Sequence, residues 1–348
     1  MLTILYPPTL PWGPLPGEGD PAHQGLTSMF QRPQQLMRAL ARCGVRTIFL
    51  DTAPPSETGV LTWEIEPNCF VCKEGAPWQT LVQGTLVVLS SHARQHHTVL
   101  QYGGQLIVWD CLDAAKEEFA CWAPYVPKMR AQADLILCTA QALYDEHAPH
   151  RPGRVVLVPN GADYLHFSRD ATVPADWPNT RGKVLGYIGA IAPWIDWSLI
   201  NQLPDALGPD WDLVFIGQDF GSHVPRHPRL HALGYRPYAT LPDYLAGMDV
   251  AMIPFRQSEM IAAVNPIKLY EYLASGTPVV ATPMPELLPF SPPVRLAAGV
   301  DAFAAAVHAA GEEGTPGPYQ RLASRHAWEA RARQIIAAIE EHVSCATI

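Results

Sequence analysis

Residues Asn265-Pro-Ile-Lys-Leu-Tyr-Glu-Tyr-Leu-Ala-Ser-Gly-Thr-Pro-Val-Val-Ala-Thr282 read as a loop, one short helix, a glycine stop and a buried strand. Asn265 and Pro266 suit a helix start, because a proline in the first turn gives up an N–H that has no helical acceptor there. Leu269, Tyr272 and Leu273 form an apolar stripe at helical spacing, with Gly276 just past the end. Pro278-Val-Val-Ala281 has the apolar run of a parallel-sheet strand. Lys268 and Glu271 lie three apart, so they share a face near the helix N-terminus, where backbone N–H groups and the macrodipole favour an anion. A cation for a diphosphate beside a carboxylate for ribose hydroxyls is the chemistry of a nucleotide-sugar site.

The pattern extends in both directions. Upstream, Gly186–Gly189, Trp211–Gly217, His231–Leu233 and Val250–Pro254 read as strands with helices between them. In the first half Leu2–Tyr6, Val45–Leu50, Leu86–Ser90, Leu106–Trp109, Leu135–Thr139 and Val155–Pro159 do the same, after a long Pro- and Gly-rich loop from Pro7 to Thr27. Apolar strands spaced by helices mean parallel sheets covered on both faces, so the expected class is α/β with two Rossmann-like domains facing a central cleft. The expected division is residues 1–167, an acceptor-binding domain joined by a C-terminal helix over 319–348, and residues 168–318, a donor-binding domain. One helix is expected from Tyr319 to about Val343, with Trp328, Ala332, Ile335, Ile336, Ile339 and Val343 on one face.

Composition excludes several classes. The chain has 348 residues, 48% hydrophobic and 16% charged, enough for two ordinary cores. A net charge of −9, with neither half basic, argues against nucleic acid and gives no support to contact with an anionic membrane surface. No apolar run is long enough for a transmembrane helix, and the first residues do not read as a signal peptide. Seven cysteines, an odd number, fit a reducing cytoplasm. Cys69-x-x-Cys72 has no second pair at zinc-site spacing, so no metal is expected.

Taken together, these residues resemble the GT-B glycosyltransferases, in particular the family-4-like bacterial enzymes of exopolysaccharide and teichuronic-acid assembly. The Lys-Leu-x-Glu run is also similar to that of xanthan-type glucuronosyltransferases. The match runs in order through Arg32-Pro33, Asp110-Cys111, Val158-Pro-Asn-Gly161, Gly186–Ile191, Leu233–Tyr238, Pro254–Glu271 and Trp328. The resemblance implies transfer of a sugar from a nucleotide-diphosphate sugar, expected to be a UDP-sugar, to a hydroxyl acceptor, with no metal and no further cofactor. It gives Glu271 the ribose and Lys268 the diphosphate, beside Asn265, Pro266 and Leu269. Gly189 and Gly217 would flank the donor, and Gly234 and Tyr235 would border the nucleobase. Arg256, just after a strand, would face the same cleft. Trp12, Gly13 and Arg32 would border the acceptor or the donor phosphates.

Candidate bases are Asp113, then Asp110, at the end of an expected strand, with His92 as an orienting group. His96 and His97 are expected on a solvated helix face. Three departures from the family pattern stand out. Ala263 replaces the first glutamate of an E-x7-E pair, Ala114 replaces one acid of a pair, and Pro193-Trp-Ile-Asp196 stands where many relatives carry Arg and Lys. They keep two other readings open, a non-catalytic nucleotide-sugar binder and a nucleotide-sugar epimerase. Retention and inversion are both compatible with the motifs.

Overall fold

The computed structural model describes residues 1–19, 29–54, 59–313 and 317–346. Residues 20–27 of the long first loop and the side chain of Val343 lie outside the described residues. The chain divides into two compact units, Met1–Asn160 with Trp328–Ile348, and Gly161–Ala327.

In the first unit the strands are β1 (Leu2–Tyr6), β2 (Arg46–Leu50), β3 (Thr62–Glu66), β4 (Cys69–Cys72), β5 (Thr85–Ser90), β6 (Leu106–Cys111), β7 (Leu135–Cys138) and β8 (Val155–Leu157). Among the described residues they form one sheet in the order β3-β4-β2-β1-β5-β6-β7-β8. Every pairing is parallel except β3 with β4. The β3–β4 hairpin was not expected from sequence. Its first strand, Thr-Trp-Glu-Ile-Glu, alternates apolar with charged residues as a sheet edge does, unlike the uniformly apolar inner strands. Helices α1 (Arg32–Arg42), α2 (Val126–Gln132) and α3 (Gln141–His147) belong to this unit.

The second unit holds β9 (Lys183–Ile188), β10 (Trp211–Ile216), β11 (Leu230–Gly234), β12 (Val250–Ile253), β13 (Val279–Ala281) and β14 (Arg295–Leu296), in the order β11-β10-β9-β12-β13-β14. All pairings are parallel. Its helices are α4 (Tyr164–Phe167), α5 (Trp197–Leu207), α6 (Leu241–Leu245), α7 (Ile267–Ser275), α8 (Val300–Gly311) and α9 (Gly317–Ser324). The expected single C-terminal helix is thus two. α9 packs on α7, while α10 (Trp328–Ala346) packs on α1 of the first unit. No helix among the described residues is long and apolar enough to cross a membrane.

The division falls at 160/161 rather than at 167/168, and the reason is local. The Asn160 side chain accepts from Arg32 Nη1 (3.1 Å) and its carbonyl from Arg331 Nε (3.0 Å), which ties it to α1 and α10. Beyond it, α4 packs on α7 and so belongs to the second unit.

In a parallel sheet the order reverses where the first strand has neighbours running away on both sides, and the strands part there at their carboxyl ends. In the second unit that place lies between β9 and β12, whose pairing stops at Leu185 and Gly186. The gap beyond would strand the polar backbone of Ile188. The Tyr272 hydroxyl fills it, accepting from Ile188 N–H (2.8 Å) and donating to Ile188 C=O (3.1 Å). This pair of bonds docks α7 against the end of β9. Tyr272→Phe leaves a buried N–H without an acceptor, so a stability loss of about 1–3 kcal/mol is expected. Chemical denaturation of the purified protein, with an unchanged m-value, checks it.

Candidate functional site

The site builds up from α7. Its N-cap is Pro266, whose backbone is extended, and the helix begins at Ile267, one residue later than expected. Leu269 N–H donates to Pro266 C=O (3.1 Å), whereas no hydrogen bond among the described residues uses the N–H groups of Ile267 and Lys268. These unpaired donors, at the positive end of the helix, open beside the switch point.

Lys268 sits at this opening, half-buried. Its Nζ lies 4.8 Å from the ring centre of Phe255 and 5.3 Å from that of Tyr187. It also lies against Gly189, where an added Cβ would meet Lys268 Cε at 2.9 Å and Nζ at 3.2 Å. Gly189 (φ +146°) and Gly217 (φ +155°) are held by ladder bonds from Gly189 N–H to Ile216 C=O (2.9 Å) and from Gly217 N–H to Gly234 C=O (3.0 Å). A Cβ at Gly217 would fall 1.8 Å from the Gly189 carbonyl, so the close approach of these two turns requires glycine at 217. Gly189, Gly217 and Gly234 therefore line successive strand ends at one edge of the sheet, with Tyr235 and Arg256 half-buried just past β11 and β12.

Glu271, one turn along α7, is 9% exposed. Among the described residues neither its carboxylate nor the Lys268 ammonium takes part in a hydrogen bond or an ion pair. Burial pushes the Lys268 amine down to about 8, with the nearby Glu271 charge acting the other way. Burial likewise pushes the Glu271 carboxyl up to about 7; Lys268 opposes this and the Asp163 carboxylate adds to it. A cation, an acid and free helix donors thus share one corner without satisfying one another. That set can hold a phosphate group and accept hydrogen bonds from hydroxyls.

Not every residue expected here faces this corner. Asn265 is buried, its amide donating to Glu286 Oε2 (2.8 Å) and accepting from the Tyr270 hydroxyl (3.1 Å), so its role is to hold the loop. Leu269 is a core side chain whose N–H is already used, so it offers a ligand nothing. The run Pro193–Asp196 is structural: Asp196 caps α5 by accepting from Leu199 N–H (3.0 Å). Sequence reasoning missed Tyr187 and Asp163. Tyr187 sits inside the stretch Gly186–Gly189, and its ring was the available signal. Asp163 is distant from Glu271 in sequence and carries none.

The first unit corrects more of the expectations. Arg32 and Asp110 are each 1% exposed and belong to each other: Nη2 donates to Oδ1 (2.8 Å) and Nε to Oδ2 (2.9 Å). Arg32 Nη1 also donates to the Pro159 carbonyl (3.1 Å), and the guanidinium lies over the Trp328 ring. Arg32 is thus committed to partners inside the first unit, and the Asp110 carboxylate is engaged by the guanidinium rather than free to take a proton. Trp12 is a core residue, its ring edge-on to Phe49 and its backbone N–H donating to Asp51 Oδ1 (3.1 Å); Gly13 beside it is buried. His96 is buried rather than solvated, against the His97 ring.

Asp113 differs from these. It is half-buried just past β6, no hydrogen bond or ion pair among the described residues holds it, and burial pushes its carboxyl up to about 6. His92, just past the neighbouring strand β5, is half-buried with its ring edge against Trp122 (5.0 Å). Burial, and then the Arg94 charge, lower its basicity.

Comparison with known proteins agrees with this architecture. Residues 182–311 match the family described as Glycosyl transferases group 1. The Bacillus subtilis protein TuaH, named for teichuronic acid biosynthesis, is 32% identical over 165 residues, which is 44% of this chain and 41% of that one. The chain therefore spans under half the length of that curated relative. The sucrose-phosphate synthase of Thermosynechococcus elongatus superposes over 99% of this chain and 100% of its own, with a TM-score of 0.68 at 16% identity. The fold is GT-B. A second GT-B structure, Anabaena HepE in complex with UDP-glucose, covers 97% of this chain and 99% of its own, with a TM-score of 0.67 at 15% identity.

In this GT-B chain the Arg32–Asp110 pair ties α1 to β6 within the first unit. Arg32→Ala strands a buried carboxylate, and a stability loss of about 3–5 kcal/mol is expected. Denaturant unfolding of the first unit checks it, and a loss below about 1 kcal/mol contradicts the structural role.

Proposed function

We propose that this chain is a glycosyltransferase, taking a nucleotide-diphosphate sugar, with a UDP-sugar as the expected donor, and a hydroxyl acceptor. The observation that carries the reading is the unengaged Lys268–Glu271 pair at the opening of α7, inside the segment that matches the group 1 family. Lys268 and the free N–H groups of Ile267 and Lys268 take the charge that builds on the leaving diphosphate, a role that positive helix ends and cations fill without a metal. Glu271 accepts from the ribose hydroxyls, Gly189 and Gly217 let the donor approach the backbone, and Gly234, Tyr235 and Arg256 border the nucleobase side.

Asp113 is the proposed base. The acceptor oxygen bonds to the anomeric carbon, the carbon–oxygen bond to the diphosphate breaks with its electrons leaving on the nucleotide, and the acceptor proton goes to the Asp113 carboxylate. A carboxyl raised to about 6 is still ionised at neutral pH and is a stronger proton acceptor than an ordinary one. Direct attack of this kind inverts the anomeric centre. His92 orients the acceptor hydroxyl. The six described cysteines are free thiols, in keeping with a cytoplasmic enzyme.

The charge states give the pH dependence its sign. The diphosphate needs Lys268 protonated, so affinity falls as pH rises through about 8. Ribose contact needs Glu271 ionised, so affinity falls as pH drops through about 7. UDP affinity measured by calorimetry is therefore expected to peak between those two values, and Glu271→Gln to remove the acid limb only. A flat profile contradicts the assignment.

Lys268→Ala removes charge-assisted bonds and is expected to weaken UDP binding by about 10- to 100-fold. Asp113→Asn should leave UDP binding unchanged while UDP release from a panel of UDP-sugars falls by about 10²- to 10⁴-fold. Wild-type UDP affinity in Lys268→Ala sinks the donor assignment. Full turnover in Asp113→Asn sinks the base.

A further inference from the structure

An ammonium drawn partly out of water needs compensation, or it gives up its proton or swings back to solvent. Lys268 touches no carboxylate, and the Glu271 charge supports it only from a distance. No ion pair or hydrogen bond among the described residues reaches it, although Glu271 is one turn away. What faces the ammonium instead is a pair of rings, Phe255 at 4.8 Å and Tyr187 at 5.3 Å.

Both rings are fixed by the fold rather than by the lysine. Tyr187 lies within β9, fully buried beside Phe215, and its hydroxyl donates to the Ala190 carbonyl (2.9 Å). Phe255 is 3% exposed; its carbonyl accepts from Thr282 Oγ1 (2.6 Å), and its backbone bridges to Ile195. On the remaining side, Gly189 has no Cβ to push the ammonium away. The lysine thus rests in a preformed notch of two ring faces and a glycine.

We propose that Tyr187 and Phe255 are positioning residues for the donor diphosphate, holding the Lys268 ammonium in place and un-neutralised before the nucleotide arrives. The inference rests on the donor reading above and says how that site is made ready. Ring faces attract a cation through their quadrupole yet carry no net charge to cancel it. A carboxylate at the same place would have to be displaced by each incoming phosphate. The rings leave the ammonium's charge and N–H groups for the ligand, and the geometry is set in advance.

The test is UDP binding by this chain, followed by calorimetry across the neutral to alkaline range. Phe255→Met keeps the volume and removes the ring face. It is expected to weaken UDP binding by about 2- to 5-fold near the alkaline limb and to move that limb down by roughly half a pH unit. Phe255→Tyr should restore both. A folded Phe255→Met protein with the wild-type profile overturns the proposal.

A measurement on the unaltered chain guards against a variant that fails to fold. With carbon-13-labelled lysine, the Lys268 ε-methylene signal in the nucleotide-free protein should lie upfield of its random-coil position, because two ring faces shield it. A random-coil shift overturns the notch. A wild-type chain that binds no UDP at any pH, yet shows the shielded signal, overturns the donor reading and not the notch.

Discussion

The second unit is organised around a positive charge kept at the one place where the sheet parts. β9 and β12 stop pairing after Gly186, and the space beyond their ends is closed by α7 through the Tyr272 hydroxyl. That docking places the first turn of α7, with its free N–H groups and Lys268, over the glycine turn after β9. The glycines at 189 and 217 follow from the same constraint: one makes room for the lysine, the other for the carbonyl of the first. Remove the tyrosine hydroxyl or either glycine, and the cation no longer has a fixed address.

The two units use charge in opposite ways, and the contrast separates structural from functional residues better than residue type does. In the first unit Arg32 and Asp110 satisfy each other, and the guanidinium also caps backbone and side-chain oxygens of Pro159 and Asn160. Such a cluster gains nothing by meeting a ligand, since each new bond would cost an old one. Lys268 and Glu271 are close, of opposite sign, and still unengaged, so their desolvation is left partly uncompensated. Asp113 carries the same signature. Groups left in this state cost stability, and proteins commonly keep them where a substrate supplies what is missing.

The uniformly apolar runs were legible as inner strands, and the stripe Leu269–Tyr272–Leu273 as a helix, because periodicity reports burial directly. The β3–β4 hairpin was not, since its edge strand alternates with glutamates and looks like loop. In the site, Lys268, Glu271 and the glycine turns could be read from spacing along a single element. Arg32, Asp110 and Trp12 were misjudged for a different reason. Arg32 opens α1, Asp110 stands near the end of β6, and Trp12 lies in the loop after β1. Which way a side chain turns there is decided by partners far away in sequence, such as Asn160 and Trp328 for Arg32 and Phe49 for Trp12. Asp110 lies inside β6 and Asp113 two residues past its end, so similar acids in one short run meet opposite environments.

The arrangement also explains why the amine and the acid are both shifted toward neutrality. Burial moves Lys268 down and Glu271 up, and their mutual attraction only partly reverses this because they do not touch. A corner whose acid is only partly ionised when empty is cheaper to bury than two full charges. An arriving diphosphate changes the balance: its negative charge favours the protonated amine, and ribose hydroxyls favour the ionised acid. The ligand thereby draws out the charged forms that the empty fold resists. The rings of Tyr187 and Phe255 matter in this balance because they keep enough of the ammonium present for the first encounter, without fixing it so firmly that it cannot turn to the phosphate.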